Sequence, residues 1–179
     1  MRKVIESTLV SLDGVIGDPQ VWAEPYFDDE ARDLANKQLL VTDAMLMGRR
    51  TYEKFAAMWP AATGEYADRM NSVRKYVFSS TLETAEWTNA TIISSDAARA
   101  VAELKQEDGQ DLLMYGHGPL GQALLEHKLL DELRLWLHPL LVGRGTLLFR
   151  EGADSTLELV ATETLASGVV VLTYRPART

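Results

Sequence analysis

The chain has 179 residues, 46% of them hydrophobic, with a formal net charge of −8 and no cysteine, which suits one sizeable core in a single domain, 1–179. Lack of cysteine excludes disulfides, thiolate nucleophiles and cysteine-based metal sites, and the acidic balance without a Lys/Arg cluster argues against a nucleic-acid partner, which would require a basic face. Glu6 interrupts the apolar run after Arg2 and Lys3, and no stretch reaches bilayer-spanning length, so the expectation is a cytoplasmic protein with no membrane partner.

In chain order, Val4 to Leu12 has strand composition and runs into the Asp13-Gly14 turn signal. Residues 17–27 carry Gly17, Pro19 and Pro25 and read as an irregular loop. A helix is predicted from Asp28 to about Leu40, with Asp28, Asp29 and Glu30 placed to suit the helix dipole. Ala44 to Met47 reads as a buried strand ending at Gly48, and Thr51 to about Met58 as a helix. Lys75 to Phe78 and Ala90 to Ile93 read as strands, and Asp96 as the N-cap of a helix over Ala97 to Gln106. Asp111 to Tyr115 is a strand stopped by Gly116-His117-Gly118, followed by a helix from Pro119 to Glu126 with proline in its favoured first turn. Glu132 to Leu140, Leu157 to Thr164 and Val169 to Tyr174 then read as strands without intervening helices, the last two joined by a hairpin at Ala166-Ser167-Gly168. Strand–helix alternation followed by hairpins predicts an α/β three-layer sandwich, with a mostly parallel central sheet and an antiparallel C-terminal hairpin.

Three strand ends carry small or hydroxylic residues: Gly48-Arg49-Arg50-Thr51, Ser79-Ser80-Thr81 and Gly116-His117-Gly118. In an open parallel sheet ligands bind beyond the carboxyl ends of the strands, so these three could line one groove. The helix after Gly48 offers free N–H groups and a positive dipole end, and Arg49, Arg50 and the Thr51 hydroxyl add donors suited to phosphate. The alternative is a solvated arginine pair beside a helix cap. Gly121 completes G-x-G-x-x-G from Gly116, but the motif falls late in the chain and no acid stands at the far end of the next strand, so an ordinary dinucleotide-binding fingerprint is rejected. His117, His127 and His138 lack metal-ligand spacing, and neither a nucleophile elbow nor a P-loop is present. With no metal predicted, an enzyme with this inventory must borrow its reactivity, and a hydride-donating cofactor is the natural candidate.

Several segments, taken in order, resemble a known family. Ser11-Leu12-Asp13-Gly14-Val15-Ile16, the run Asp43 to Glu53 containing Met47-Gly48-Arg49-Arg50-Thr51-Tyr52, Lys75 to Leu82 with Trp87, and Asp131-Glu132-Leu133 followed by His138-Pro139-Leu140-Leu141-Val142-Gly143-Arg144-Gly145 and Phe149 are similar to the dihydrofolate reductase-like superfamily. They are closest to its branch containing the reductase domain of bacterial riboflavin biosynthesis. The resemblance implies a dihydrofolate reductase-like fold and an NADPH-dependent reductase of a small heterocyclic substrate. The implied activity is like that of 5-amino-6-(5-phosphoribosylamino)uracil reductase; a dihydrofolate or pterin reductase, or a nucleotide-binding module without turnover, are the alternatives. It nominates Gly48, Arg49, Arg50, Thr51, Ser79, Ser80, Gly116, Gly118 and Leu120 for the cofactor, with Ile16 beside the nicotinamide. Asp33 lies near the family's first-helix carboxylate, the alternative being a solvated helix acid. Asp13 and Trp22 fall toward the substrate, and Trp22 either walls the pocket or anchors the first loop. His117 stands where the family has glycine or serine, and a segment with a DDP-type motif found in full-length riboflavin reductases is missing. The implied assembly is a homodimer.

Overall fold

A computed structural model describes residues 1–149 and 154–177. Eight strands form one sheet in the order β4-β3-β2-β5-β1-β6-β8-β7. They are β1 (Val4–Ser11), β2 (Thr42–Gly48), β3 (Arg74–Phe78), β4 (Ala90–Ile93), β5 (Asp111–Tyr115), β6 (Glu132–His138), β7 (Leu157–Thr164) and β8 (Val170–Pro176). The first six run parallel, and β8 and β7 add as antiparallel strands at one edge. The hairpin between β7 and β8 turns at Gly168, whose φ of 88° lies in the left-handed region where a side chain is strained.

Among the described residues, six helices cover the sheet: α1 (Pro19–Trp22), α2 (Asp29–Leu40), α3 (Arg49–Met58), α4 (Glu65–Ser72), α5 (Ala97–Leu104) and α6 (Pro119–Glu126). Asp28 and Asp96 are the N-caps of α2 and α5; each carboxylate accepts from a backbone N–H of the first turn, Ala31 at 2.9 Å and Arg99 at 2.8 Å. Two corrections concern the segments between strands. The loop 17–27 contains α1 and a 3-10 turn over Glu24–Tyr26, because Pro19 and Pro25 each start a turn at the position where a missing N–H costs nothing. Helix α4 was not foreseen: it follows Gly64 and buries only Ala67 and Met70, too short a stripe for a periodicity reading.

Alternate residues along the strands face opposite helical layers. Val4, Leu46, Leu112, Met114 and Leu133 pack with Val101 and Leu104 of α5 and Leu124 and Leu125 of α6. On the other face Ile5, Met45, Met47 and Leu113 pack with Tyr52 of α3 and Met70 of α4, and Trp136 and Val171 with Ala31 and Ala35 of α2. The β1–β5 ladder stops at Ser7↔Tyr115, whereas β1 continues beside β6 to Ser11↔His138. β1 therefore extends four residues past its last β5 partner. Among the described residues, no helix is long and apolar enough to cross a membrane.

Candidate active site at the strand ends

The sheet order places β3, β2 and β5 side by side, bringing the three singled-out strand ends along one edge. Gly48 is the N-cap of α3 and Gly118 that of α6, and neither helix start has a side-chain cap. Their first-turn N–H groups are therefore directed outward as an anion site requires. Gly48 and Gly118 have ordinary extended backbones, so glycine there gives room rather than freedom: a Cβ added at either meets nothing within 4 Å. Gly116 differs, with φ of 76° turning the chain sharply out of β5.

Arg49 joins two of the ends. Its Nη1 donates to Thr81 Oγ1 at 2.7 Å and its Nε to Glu53 Oε1 at 2.6 Å, holding the guanidinium across the α3 N-terminus and the turn after β3. Ser79 Oγ accepts from the backbone N–H of Thr81 at 3.2 Å and of Leu82 at 3.0 Å, shaping that turn. Arg50 and Ser80 are exposed and Thr51 is half-buried. Thr81 and Glu53, which fix the Arg49 side chain, lie within the singled-out segments but are not among the nominated site residues.

Beside the third end, Ile16, His117, Gly118, Pro119, Gln122 and the 146–148 segment line a cleft of about 230 Å³. Ile16 is held by its backbone N–H donating to Thr146 O at 2.8 Å; Leu120 turns inward against the core between α5 and α6. Beneath this cleft is a buried polar cluster that motif reading missed. Glu6, fully buried in β1, has Oε1 2.8 Å from His117 Nδ1 and accepting from Thr8 Oγ1 at 3.1 Å, and its Oε2 has no partner among the described residues. A glutamate inside the run Val4-Ile5-Glu6-Ser7-Thr8-Leu9 was the available signal, since a buried charge requires partners.

The remaining nominated residues lie elsewhere. Asp13 latches the loop after β6: its carboxylate accepts from Ser11 Oγ at 2.6 Å, Val142 N at 3.1 Å and Gly143 N at 2.6 Å. These donors, Ser11 first, hold its carboxyl at about 2, below the ordinary 3.8. Trp22 is buried, donates from Nε1 to Gly17 O at 2.9 Å and meets the His138 ring edge-on at 5.3 Å, so it anchors the first loop. His138 ends β6, donates from Nδ1 to Trp136 O at 2.7 Å, and burial pushes its pKa below the usual imidazole value. Asp33 is exposed in α2.

The model of the RibD C-terminal domain family matches residues 2–171. The chain belongs to that family. It is 30% identical to the Bacillus subtilis (strain 168) protein YyaP over 183 residues, covering 97% of this chain and 94% of that protein. Its fold is similar to that of the Thermotoga maritima diaminohydroxyphosphoribosylaminopyrimidine deaminase/5-amino-6-(5-phosphoribosylamino)uracil reductase (TM-score 0.69, 15% identity, 98% of this chain and 57% of that one). It is also similar to Enterococcus faecalis dihydrofolate reductase complexed with NADP(H) (TM-score 0.62, 16% identity, 98% and 97%). The eight-stranded RibD-type sheet, parallel apart from its C-terminal hairpin, is thus dihydrofolate reductase-like. Within this frame the Gly-Arg-Arg-Thr turn, the Ser-Ser turn and the Gly-His-Gly turn of the sequence end three adjacent strands.

Proposed function

We propose that this RibD-family chain is an NADPH-dependent reductase of a small pyrimidine- or pterin-type ring. One observation carries the reading: two helix starts without side-chain caps, with open space over Gly48 and Gly118, lie along one sheet edge, and the Arg49 guanidinium reaches from the first of them to Thr81 in the turn after β3. The residues present fit a dinucleotide phosphate chain, because outward N–H groups, an arginine fork and no intruding Cβ are what such a chain requires. The reductase names of the Thermotoga and Enterococcus proteins, and NADP(H) in the latter, support the same chemistry.

In this reading Arg49, Arg50 and Thr51 bind the phosphate on the adenosine ribose, with Ser79 and Ser80 beside it. Gly116 and Gly118 cover the pyrophosphate, Leu120 backs that turn, and Ile16 abuts the nicotinamide. NADPH, when bound, supplies a hydride to the substrate ring. The chain orients that ring, and Asp33 or an ordered water supplies the proton. Asp13 and Trp22 serve the substrate side by fixing the loops that border it. The reading includes a homodimer, supported by exposed Leu159 and Val160 on the edge strand β7 and tested by light scattering coupled to size-exclusion chromatography.

Titration with NADPH, following nicotinamide fluorescence, tests the cofactor claim: saturable binding is expected, and no binding up to millimolar concentration refutes it. A nucleotide-binding module without turnover is the second reading, favoured by the exposed position of Asp33. Tight NADPH binding with no oxidation across a panel of pterins and pyrimidines selects it.

A further inference from the structure

Arg49 and Glu53 stand one helical turn apart at the start of α3, on the same face. The carboxylate accepts from the guanidinium Nε through Oε1 at 2.6 Å, and Thr81 Oγ1 accepts from Nη1 at 2.7 Å. An arginine has N–H donors on all three nitrogens. Nη2 therefore still has hydrogens to give, and Glu53 Oε2 has no bond among the described residues. Both side chains are 47% exposed, so a ligand can reach either. The space over Gly48, the N-cap of the same helix, is open as well: an added Cβ meets nothing within 4 Å. The turn from Gly48 to Glu53 carries Arg49, Arg50 and Glu53, so the carboxylate cancels one of its two positive charges.

We propose that Glu53 sets the cofactor preference of this site and makes it accept NADH as well as NADPH. Arg49 binds a phosphate on the adenosine ribose; the Glu53 carboxylate repels that phosphate but accepts a hydrogen bond from the hydroxyl that stands in its place in NADH. The inference rests on the reductase reading and deepens it by naming a second cofactor. Nucleotide sites tell the two ribose groups apart with an acid for the 2′-hydroxyl or an arginine for the 2′-phosphate, and here both are bonded to each other. A phosphate monoester carries roughly 1.5 to 2 negative charges at neutral pH. On reaching the guanidinium it comes close to the carboxylate held at Nε, and two like charges about 4 Å apart in water weaken binding by about fivefold. A hydroxyl brings a donor instead, for which Glu53 Oε2 is a charged acceptor. If Glu53 only steadied Arg49, its loss would loosen NADPH. Thr81 decides against that outcome, because its turn is fixed independently: Ser79 Oγ accepts from the N–H groups of Thr81 and Leu82 at 3.2 and 3.0 Å. The guanidinium thus keeps its Nη1 anchor when the carboxylate is gone.

The test is titration of the intact chain with NADPH and with NADH, following nicotinamide fluorescence, in wild type, Glu53→Gln and Glu53→Ala. Wild type is expected to bind both. In Glu53→Gln, NADPH tightens by about fivefold at low ionic strength, a gain that shrinks as salt screens the charges. NADH weakens by about threefold in the same variant, since a charged acceptor becomes a neutral one. Glu53→Ala removes the acceptor altogether and weakens NADH by about tenfold. The replaced side chain is half-exposed, and circular dichroism checks that both variants remain folded. Affinities for the two cofactors falling together in Glu53→Gln, an unchanged NADPH affinity, or no NADH binding to wild type at millimolar concentration overturns the proposal. Calorimetry with adenosine 2′,5′-bisphosphate and adenosine 5′-diphosphate reads the ribose site without a nicotinamide. Opposite shifts there, with neither NADPH nor NADH oxidised on any pterin or pyrimidine, leave the Glu53 assignment standing while the reductase reading falls.

Discussion

Replacing Gly121 with alanine should destabilise the protein, against the usual direction for glycine inside a helix. Gly121 is buried in α6, and a Cβ added there would lie 2.5 Å from Glu6 Oε2, 2.8 Å from His117 Nδ1 and 3.1 Å from Met114 Cε. Real Cβ atoms do not approach so closely, so α6 must lift or the buried Glu6–His117 pair must shift. A glycine-to-alanine change in a helix contributes roughly 0.5–1 kcal/mol of stability, whereas overpacking costs roughly 1–3 kcal/mol. The clash is with the carboxylate of fully buried Glu6 and with the His117 imidazole hydrogen-bonded to it, neither free to swing away, so the upper part of the cost applies. The net loss is then about 1–2 kcal/mol, or a melting midpoint lower by about 2–8 °C for a chain of this size. Differential scanning calorimetry reads it directly. The double variant with Glu6→Ala should lose less than the sum of the two single changes, because the carboxylate that Cβ strikes is gone. A higher midpoint for Gly121→Ala, or additive losses, refutes this packing argument.

Arg49→Ala should raise the dissociation constant for NADPH by about tenfold or more, the loss of a charge-assisted phosphate contact, with a smaller effect on NADH in the same fluorescence titration. Its effect on the melting midpoint should be small, since the Arg49–Glu53 ion pair is nearly half exposed on both sides. Asp13 has a folded-state pKa of about 2, below its ordinary 3.8. Its anchoring contribution is therefore fully present above pH 3.8 and is lost as pH falls through about 2; Asp13→Asn should remove that dependence and speed amide exchange at Val142 and Gly143 at neutral pH. Lys75 is buried with its Nζ donating to Asn71 O at 2.6 Å and Thr88 O at 2.9 Å, over the Trp87 ring at 4.2 Å. Burial lowers its pKa to about 8 from 10.5, so this group's contribution to stability rises as pH goes from 8 to 10.5 and is flat below. Urea unfolding across that range should show a rise in wild type that Lys75→Met lacks.

The framework of strands was legible because β2, β3, β4 and β5 are short runs closed by a glycine or a hydroxyl cluster, and Asp28 and Asp96 marked their helices as caps do. Helix α4 was not legible, since only Ala67 and Met70 of a mostly polar octet are buried. The site divides in the same way. Gly48, Arg49 and Gly116 stand in recognisable turns, whereas Thr81 and Tyr66 gain their contacts from partners 32 and 49 residues away, which no local pattern encodes. Gly121 was half legible. Its place as third glycine of G-x-G-x-x-G suggested a dinucleotide fingerprint, and the fingerprint was rejected. The physical demand behind that glycine, close approach of a helix to a strand, nevertheless holds, because Glu6 of β1 occupies the volume a side chain would need.

The two halves of the proposed site meet where the chain changes sides. After β1 it crosses to β2 through α2, which packs on the face of Trp136 and Val171; after β5 it crosses to β6 through α6, which packs on the face of Met114 and Leu133. Neighbouring parallel strands whose following helices lie on opposite faces leave a crevice at their carboxyl ends. Here the β1–β5 ladder ends at Ser7↔Tyr115, so β1 runs on without β5 beside it. The α6 side of that opening carries Gly116, Gly118 and Ile16; the α2 and α4 side carries Tyr66, Tyr115 and Trp59. In the proposed reading, a nucleotide lying along the strand ends would bring its reactive ring to this opening over β1, the placement that direct hydride transfer demands.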